Sequence, residues 1–519
     1  MTTYGRPGVF VQENFNPLSA GGQGIPGEAL PAFAGVYPRG PLPPTLVTSW
    51  QQFVQLFGDF TTDPGNLLPF AVYEFFANGG FQTYILRVPN TDASAASLVL
   101  EDIDSPDANN VLTVSANSPG TWGQNIYVEI ATAGQSGRFN FNVYFNGSTS
   151  AFLVETFQDL SMDPTDRRNA NVMINSPISG SNYVDVEVTF PDDVYVSGQN
   201  DLALITATAL SGGGDGTTPP DLTVQIPKGL DTLINQVLYI NVPGEDDTTI
   251  LTTLLNWAAT DGDKSFIIDG PAPNLPESNA DVTANYLNMV SGGSALPQNT
   301  YGMVYGPWAL IQDPSSTIPG ATRYVPLGGL VMAKYNQADT KVGSWQSPAG
   351  ITYGVLNVID LETRFTNVQL DQLNVAQVNA AKLVPGVGFC VFGARTLHPA
   401  YPDRYVAVRR MIVKLEHDFE YLLQYALFLP NDKALWKNIT LTLTTYLNQL
   451  LQIGALGGTS PADSFSVICD ETINTPATAT AGIVNVNVAV SLLSPAEFIE
   501  IQLSQFQGTG TTTVSTTTS

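Results

Sequence analysis

Residues 237–268 read VLYINVPGEDDTTILTTLLNWAATDGDKSFII, and this stretch decides the fold class. The apolar run at 237–242 ends in a Pro-Gly turn, which predicts a buried strand. Apolar residues then recur at helical spacing over 247–260, and 265–268 is apolar again. Two strands joined through a helix normally pair in parallel, because the crossover returns the chain to the same end of the sheet. The stretch therefore predicts an α/β fold.

The rest of the chain divides by sequence pattern into segments of different character. Strand and helix patterns alternate at 32–95, whereas 96–221 reads as consecutive strands, with a hairpin signal at Asn146-Gly147. We expect a mixed α/β (α+β) multidomain chain with an inserted β-sandwich. The expected segments are an N-terminal arm and linker (1–31), an α/β segment (32–95), the inserted β-rich domain (96–221), a central α/β domain (222–395), a C-terminal domain ending in strands (396–507) and a disordered tail (508–519).

Composition and charge exclude some classes of partner. Only 13% of the 519 residues are charged, against about 25% in an average globular domain. Low charge fits extensive protein–protein contacts, and it also fits a Thr- and Asn-rich β-protein. The net charge of −26 argues against direct nucleic-acid binding, because few cations are present to neutralise phosphates. No apolar run reaches the length of a membrane span, so we expect no membrane insertion and folding in a cytoplasm.

Residues with catalytic or metal-binding chemistry are sparse. His398 and His417 lack the spacing of a zinc motif, and Cys390 has no partner at CxxC spacing. No Gly-x-Ser-x-Gly elbow occurs, although a Ser-His-Asp triad is set by geometry and stays open at this level. We predict no catalytic, metal-binding or cofactor-binding residue, no cofactor and no enzymatic activity. A soluble α/β hydrolase with an accessory β-sandwich is the alternative from another class.

Several motifs, in order along the chain, resemble the contractile tail sheath proteins of bacteriophages. The N-terminal motifs are AGVYPRGP at 34–41, LVTSWQQF at 46–53 and FFANGG at 75–80. The C-terminal motifs are FGARTL at 392–397, FLPND at 428–432, CDET at 469–472 and PAEFI at 495–499. Phe392 stands where the family has Trp, and Leu429 where it has an acid. The resemblance covers nearly the whole chain and is weakest at 96–221.

The resemblance implies a structural role. Subunits of this family form hexameric rings that stack helically around a tail tube, and the sheath contracts to drive the tube through the host envelope. The implied partners are further copies of the chain, a tail tube protein, and baseplate and tail terminator proteins. The implied location is the virion tail, after assembly in the host bacterial cytoplasm. The sheath of a phage-derived injection machine, such as a tailocin, is an open alternative.

Two strands near the chain ends are the predicted couplings between subunits. A strand without a sheet of its own must join another sheet, in the same molecule or the next, and the resemblance favours the next subunit. The predicted N-terminal arm strand consists of Gly8, Val9, Phe10, Val11 and Gln12. The predicted C-terminal strand consists of Phe498, Ile499, Glu500, Ile501, Gln502 and Leu503.

Charge is segregated along the chain. Seven of the twenty Lys and Arg residues fall within 395–437, whereas 96–228 contains four. An acidic region and a basic region on one chain suit oriented packing against an acidic surface, although a solvated helix face also explains such a run. We expect the inserted β domain to face outward and the basic region to face the tube. The candidate tube-facing residues are Arg404, Arg409, Arg410, Lys414, Lys433 and Lys437.

Overall fold

The computed structural model describes residues 29–61, 63, 65–103, 109–191, 194–234 and 236–498, and the backbone of 504–507 and 511–514. The chain divides into two compact units. The core unit contains the described residues up to 341, together with 348–399. The C-terminal unit contains 342–347 and the described residues from 400 onward. Each unit is described by itself.

The core unit begins with the α/β segment that the sequence predicts. Its elements are β1 (Leu30–Val36), β2 (Thr45–Val47), α1 (Trp50–Phe57), α2 (Leu68–Ala77) and β3 (Thr83–Val88). Ser49 caps α1, because its side chain accepts a hydrogen bond from the backbone N–H of Gln52. Gly58, with φ of 102°, ends the helix. Phe53 and Phe57 are fully buried on its inner side.

The insertion after β3 is a β-sandwich, as predicted. Its elements are β4 (Ser97–Glu101), β5 (Asn110–Ala116), β6 (Ile126–Thr132), β7 (Phe139–Phe145), β8 (Leu153–Leu160), α3 (Ala170–Ile174), β9 (Val184–Val188) and β10 (Ile205–Ala209). The antiparallel sheets β4-β5-β9 and β10-β6-β7-β8 share one apolar core. The predicted hairpin joins β7 and β8, and Asn146 has φ of 66°. However, a 3₁₀ turn at Ser150–Phe152 lengthens the connection beyond two residues, and β8 begins at Leu153.

The remainder of the core unit alternates strands and helices. Its elements are α4 (Leu222–Leu230), β11 (Leu238–Asn241), α5 (Thr248–Asp261), β12 (Lys264–Asp269), α6 (Asn279–Ser291), β13 (Gly302–Gly306), β14 (Ala309–Gln312), β15 (Thr322–Val325), α7 (Gly328–Lys341), β16 (Val358–Leu361), α8 (Asn367–Val375), β17 (Val378–Val384) and β18 (Gly388–Val391). Asp247 caps α5 by accepting hydrogen bonds from the backbone N–H groups of Thr249 and Ile250. The small sheet β15-β14-β16 is antiparallel.

One large sheet organises the core unit. Within the described residues its order is β18-β17-β13-β12-β11-β1-β3-β2. The pairs from β17 to β3 are parallel, and only the edge strands β18 and β2 run antiparallel. The predicted parallel pairing across α5 is confirmed, with Leu238 opposite Lys264. Strands buried on both faces explain the continuous apolar runs in the sequence.

The C-terminal unit contains two long helices and short strands. Its elements are α9 (Val406–Leu423), α10 (Lys433–Gln452), α11 (Pro461–Ser464), β19 (Phe465–Ile468), α12 (Pro476–Thr480), β20 (Asn487–Val490), β21 (Ser504–Gln507) and β22 (Thr511–Val514). Asp432 caps α10, and α9 and α10 bury a shared apolar cluster. β21 and β22 pair as a hairpin, so part of the segment predicted to be a disordered tail forms a strand. The predicted mixed α/β fold class is confirmed.

Candidate subunit interface

Side chains of the types that bind metal ions do not cluster in the described part of the chain. Over those residues, no three His, Cys, Asp or Glu side chains come close enough together to hold a metal ion. Cys390 and Cys469 are buried free thiols, and burial raises the pKa of both. None of the described helices combines the length and the apolar character needed to cross a bilayer. Surfaces that other chains could complete are the remaining candidates for a functional site.

The sheet formed by β19 and β20 is such a surface. The strands pair antiparallel, with Phe465 opposite Val490 and Ile468 opposite Asn487. Phe465, Val467, Val488 and Val490 are half-buried and pack against the α9–α10 apolar cluster. The opposite face is exposed. Two strands without further partners form only a marginal sheet in water, so this pair depends on the helices beneath it.

Both outer edges of the β19–β20 sheet are unpaired within the described residues. The backbone N–H of Ser491 donates to the carbonyl oxygen of Ser464 at 3.1 Å. This bond shows which residues of the two strands turn their backbone groups toward each other. Backbone groups alternate in direction along an antiparallel pair. Val488 and Val490 therefore turn their N–H and C=O groups away from β19, and Phe465 and Val467 turn theirs away from β20. Each edge can accept one more strand.

The predicted coupling strands lie mostly outside the described residues. The whole arm strand, Gly8 to Gln12, falls there, and so do Ile499, Glu500, Ile501, Gln502 and Leu503. Phe498 is described: it lies in no regular secondary structure, and its side chain is 78% exposed. The pairing of these segments with a neighbouring subunit stays a prediction.

Half of the candidate tube-facing residues are buried. Arg409, Arg410 and Lys414 are 1%, 3% and 4% exposed. Arg409 pairs with Glu416 at 3.2 Å, and Lys414 with Asp418 at 2.5 Å. This burial removes Arg409, Arg410 and Lys414 from the candidate tube-facing residues. A positive charge can be buried where a carboxylate neutralises it. Glu416 lies seven residues after Arg409, and Asp418 lies four residues after Lys414, on the same helix.

The remaining candidates are accessible. Arg404 is partly exposed, with its guanidinium 5.4 Å from the ring centroid of Tyr405. Lys433 and Lys437 lie in the first two turns of α10, and both are exposed. Lys433 pairs with Glu471 at 3.0 Å, where both side chains are more than 60% exposed, so this pair contributes little. Cations near a helix N-terminus oppose the helix dipole. Two lysines at this position therefore need a reason other than helix stability.

Helix α10 contributes no carboxylate of its own to its exposed face. The helix reads KALWKNITLTLTTYLNQLLQ, which lacks Asp and Glu, although the whole chain has 46 acidic residues. Its exposed residues include Lys433, Lys437, Asn438, Leu441, Thr445 and Gln449. Sequence reasoning selected the two lysines by charge but missed the rest of this face. The lack of acids in a 20-residue helix is the signal that could have found it.

The comparisons with known proteins bear on the same unit and on the whole fold. Residues 403–506, which include α9, α10, β19 and β20, match the family model described as phage tail sheath C-terminal domain. No curated protein matches the chain.

Solved structures of contractile sheaths share the fold. The helical sheath of the anti-feeding prophage in the contracted state is 18% identical, with a TM-score of 0.55 over 97% of this chain and 100% of that chain. The contracted sheath complex of the extracellular contractile injection system PVC is 18% identical, with a TM-score of 0.56 over 98% and 99%. A sheath tail protein of Listeria innocua is 13% identical, with a TM-score of 0.54 over 87% and 90%.

These likenesses extend over nearly the full length of the chain, so the fold is that of a contractile sheath protein. The motifs near both ends and the matched C-terminal domain agree with it. The sequence resemblance, the matched C-terminal domain and the fold all point to the same family of tail sheath proteins.

Proposed function

We propose that the chain is the structural subunit of a contractile tail sheath in a virion. Subunits assemble in the host cytoplasm as hexameric rings that stack around a tail tube, between baseplate and terminator proteins. Contraction then drives the tube through the host envelope. The observation that carries this proposal is the two-stranded β19–β20 sheet, whose outer edges no other described strand pairs with, within a matched tail sheath C-terminal domain. The chain's role is mechanical, and no catalytic step is assigned to it.

Strand addition from neighbouring subunits completes the sheet in this proposal. The arm strand at 8–12 and the strand at 498–503 each pair with an outer edge of a neighbour's β19–β20 sheet by β-augmentation. Each added hydrogen bond contributes about 1 kcal/mol, and ordering one residue of a free arm costs about 1–2 kcal/mol. A single arm is therefore marginal. Strands exchanged between many subunits of a lattice stabilise one another cooperatively. The Gly- and Pro-rich sequence at 16–31 allows subunits to move while the arm strand stays paired.

In this proposal the contact with the tube lies on the exposed face of α10. Lys433 and Lys437 supply positive charge there, and the helix itself contains no Asp or Glu that would repel an acidic tube. Charge complementarity of this kind governs orientation and association rate more than final affinity. A contact of few charges can be released when the sheath contracts, and it weakens with added salt.

The test of the proposal is assembly of the purified chain, observed by negative-stain electron microscopy. Wild-type protein should form striated tubes or rings. Val488→Pro removes an outward-facing N–H of β20 but leaves the ladder to β19, so it should abolish polymers while the subunit stays folded. Val488→Ala is the matched control, because it loses side-chain packing but keeps the N–H, and its polymers should persist.

Two outcomes would contradict the proposal. Wild-type protein that stays as isolated globules, with and without tubes added, would exclude a sheath subunit. Normal polymers of Val488→Pro would exclude strand addition at the β20 edge.

A second candidate is the sheath of a phage-derived injection machine. The similarity in fold to the sheaths of the anti-feeding prophage and PVC fits this candidate as well. The chain would polymerise in the same way in either machine. Capsid and terminase genes beside the sheath gene would indicate a phage, and their absence an injection machine.

A further inference from the structure

The inserted sandwich is connected to the core sheet by a neck of two chain segments, one leaving β3 and one returning to α4. The segments run antiparallel, and isolated bridges pair Ser94 with Gly214 and Ser97 with Ser211. A two-segment neck can bend and twist, so it does not by itself fix the orientation of the sandwich. The orientation depends on contacts made beside the neck.

Arg87, near the end of β3, makes the first of these contacts. Its buried guanidinium donates to the carbonyl oxygens of Tyr37, Pro38 and Gly40 at 2.6, 2.8 and 3.1 Å. These residues lie in the loop between β1 and β2. A further bond, of 2.5 Å, goes to the carbonyl oxygen of Pro119 in the sandwich. Burial lowers the pKa of Arg87 to about 10, so the group stays charged at neutral pH.

The backbone of the sandwich lies directly against the same core loop at Gly120. A Cβ atom at Gly120 would stand 2.4 Å from the carbonyl oxygen of Pro38, and φ is 136°. Only glycine fits both this distance and this conformation. The next residue, Thr121, donates its backbone N–H and its hydroxyl to the Asp215 carboxylate, both at 2.7 Å. The contacting loop is thereby tied to the returning segment of the neck.

Arg39, in the β1–β2 loop, reaches into an aromatic cage of the sandwich. Its guanidinium carbon lies 5.2, 4.4 and 5.2 Å from the ring centroids of Trp122, Phe145 and Tyr183. One Nη of Arg39 donates to the carbonyl oxygen of Gln55 in α1 at 2.9 Å. The guanidinium is thus held between a core helix and three rings of the insertion. Cation–π attraction is strongest where water is excluded, and burial is the main cause that lowers the pKa of Arg39.

We propose that Arg39 and its aromatic cage latch the inserted sandwich to the core sheet, so that the two move as one rigid body. The neck, the Arg87 bonds and the cage attach the sandwich at separate places, and together they remove the bending that the neck alone allows. The sandwich and the core sheet fall within one compact unit of the chain, which agrees with rigid attachment. This inference does not depend on the proposed sheath function.

The test measures the distribution of distances between two spin labels on the full-length chain by double electron–electron resonance. The labels are placed at Thr156→Cys on β8 and Gln372→Cys on α8, which are exposed residues of the sandwich and the core. Buried Cys390 and Cys469 are replaced by Ala. Without the Arg39 substitution, the distribution should be narrow and have a single peak.

Arg39→Ala should broaden this distribution at least twofold, because the core loop then has no side chain inside the cage. Arg138→Ala is the matched control. Arg138 lies in the sandwich and pairs with Asp166 at 2.5 Å, so its removal deletes a guanidinium without touching the latch and should leave the distribution narrow. Arg39→Lys keeps the charge but loses the planar head, and it should give an intermediate width.

Three results would overturn the inference. A broad distribution with Arg39 present would exclude rigid attachment, whatever the variants do. Equal widths for Arg39→Ala and Arg138→Ala would show that the cage does not hold the sandwich. If Arg39→Ala does not fold, the Arg39→Lys variant decides the question. A broader distance distribution for Arg39→Lys supports the latch, and a distribution of unchanged width excludes it.

Discussion

Reversing the charge of Arg409 should unfold the C-terminal unit instead of weakening only a contact with the tube. Arg409 is 1% exposed, and its guanidinium pairs with the Glu416 carboxylate at 3.2 Å. Arg409→Glu would place a second carboxylate beside Glu416 where water has little access. Removing one partner of a buried ion pair costs about 3–5 kcal/mol, and like-charge repulsion adds to this. We expect a loss of about 5 kcal/mol.

That loss is comparable with the whole stability of many domains, which is about 5–15 kcal/mol. The assay is urea unfolding of the unassembled chain, followed by tryptophan fluorescence, to which Trp436 in the α9–α10 core contributes. Lys437→Glu is the matched control: it makes the same change of charge on an exposed side chain, and its unfolding free energy should change by less than about 0.5 kcal/mol. An Arg409→Glu midpoint equal to that of the wild type would refute the reasoning, because Arg409 would then be solvated.

Three further predictions concern other parts of the molecule. Asp269→Ala should lower the unfolding free energy by about 3–6 kcal/mol in urea titrations. The reason is that the buried Asp269 carboxylate accepts hydrogen bonds from Asn241 and from the backbone N–H groups of Gly244 and Gly328. An unchanged unfolding midpoint would contradict this. Burial raises the pKa of Glu362 to about 7, above that of the unfolded chain. The folded state therefore binds more protons, and the melting temperature should fall as pH rises from 5 to 8. Glu362→Gln should flatten that dependence, and an equally steep curve for this variant would exclude Glu362 as its source. Replacing both Lys433 and Lys437 by Glu should change the melting temperature by less than about 2 °C from that of the wild type. In co-sedimentation the same variant should bind tubes more weakly and with a smaller salt dependence. Unchanged binding would show that α10 does not contact the tube.

Much of the fold could be predicted because local signals agree with the tertiary structure. The strand–helix–strand stretch at 237–268 has a capping Asp247, a helical period and two apolar strands. Ser49 and Asp432 cap their helices, and both are residue types that favour the N-cap position. Sequence patterns of this kind need no knowledge of distant partners.

The side chains misplaced or missed by sequence reasoning depend on such partners. Lys414 and Arg409 look solvated in the sequence, because a basic run usually is. Their burial follows from packing on every side of the N-terminal half of α9, which the helical period does not reveal. Arg39 follows Tyr37-Pro38 in a turn, and the three rings around it lie 83 to 144 residues further along the chain. A single sequence contains no signal for that convergence.

The short length of β19 and β20 bears on how a sheath subunit avoids premature association. Each strand has four residues, and short edges discourage unspecific pairing between free subunits. An added strand of similar length gains only a few hydrogen bonds of about 1 kcal/mol each, which does not offset the ordering of a free arm. Strand exchange becomes favourable when other contacts, such as those of a growing ring on a tube, already hold the neighbour in place. Assembly would then depend on a nucleus, and adding preformed tubes to purified wild-type protein should shorten the lag before polymers appear. An equal lag with and without tubes would contradict nucleated assembly.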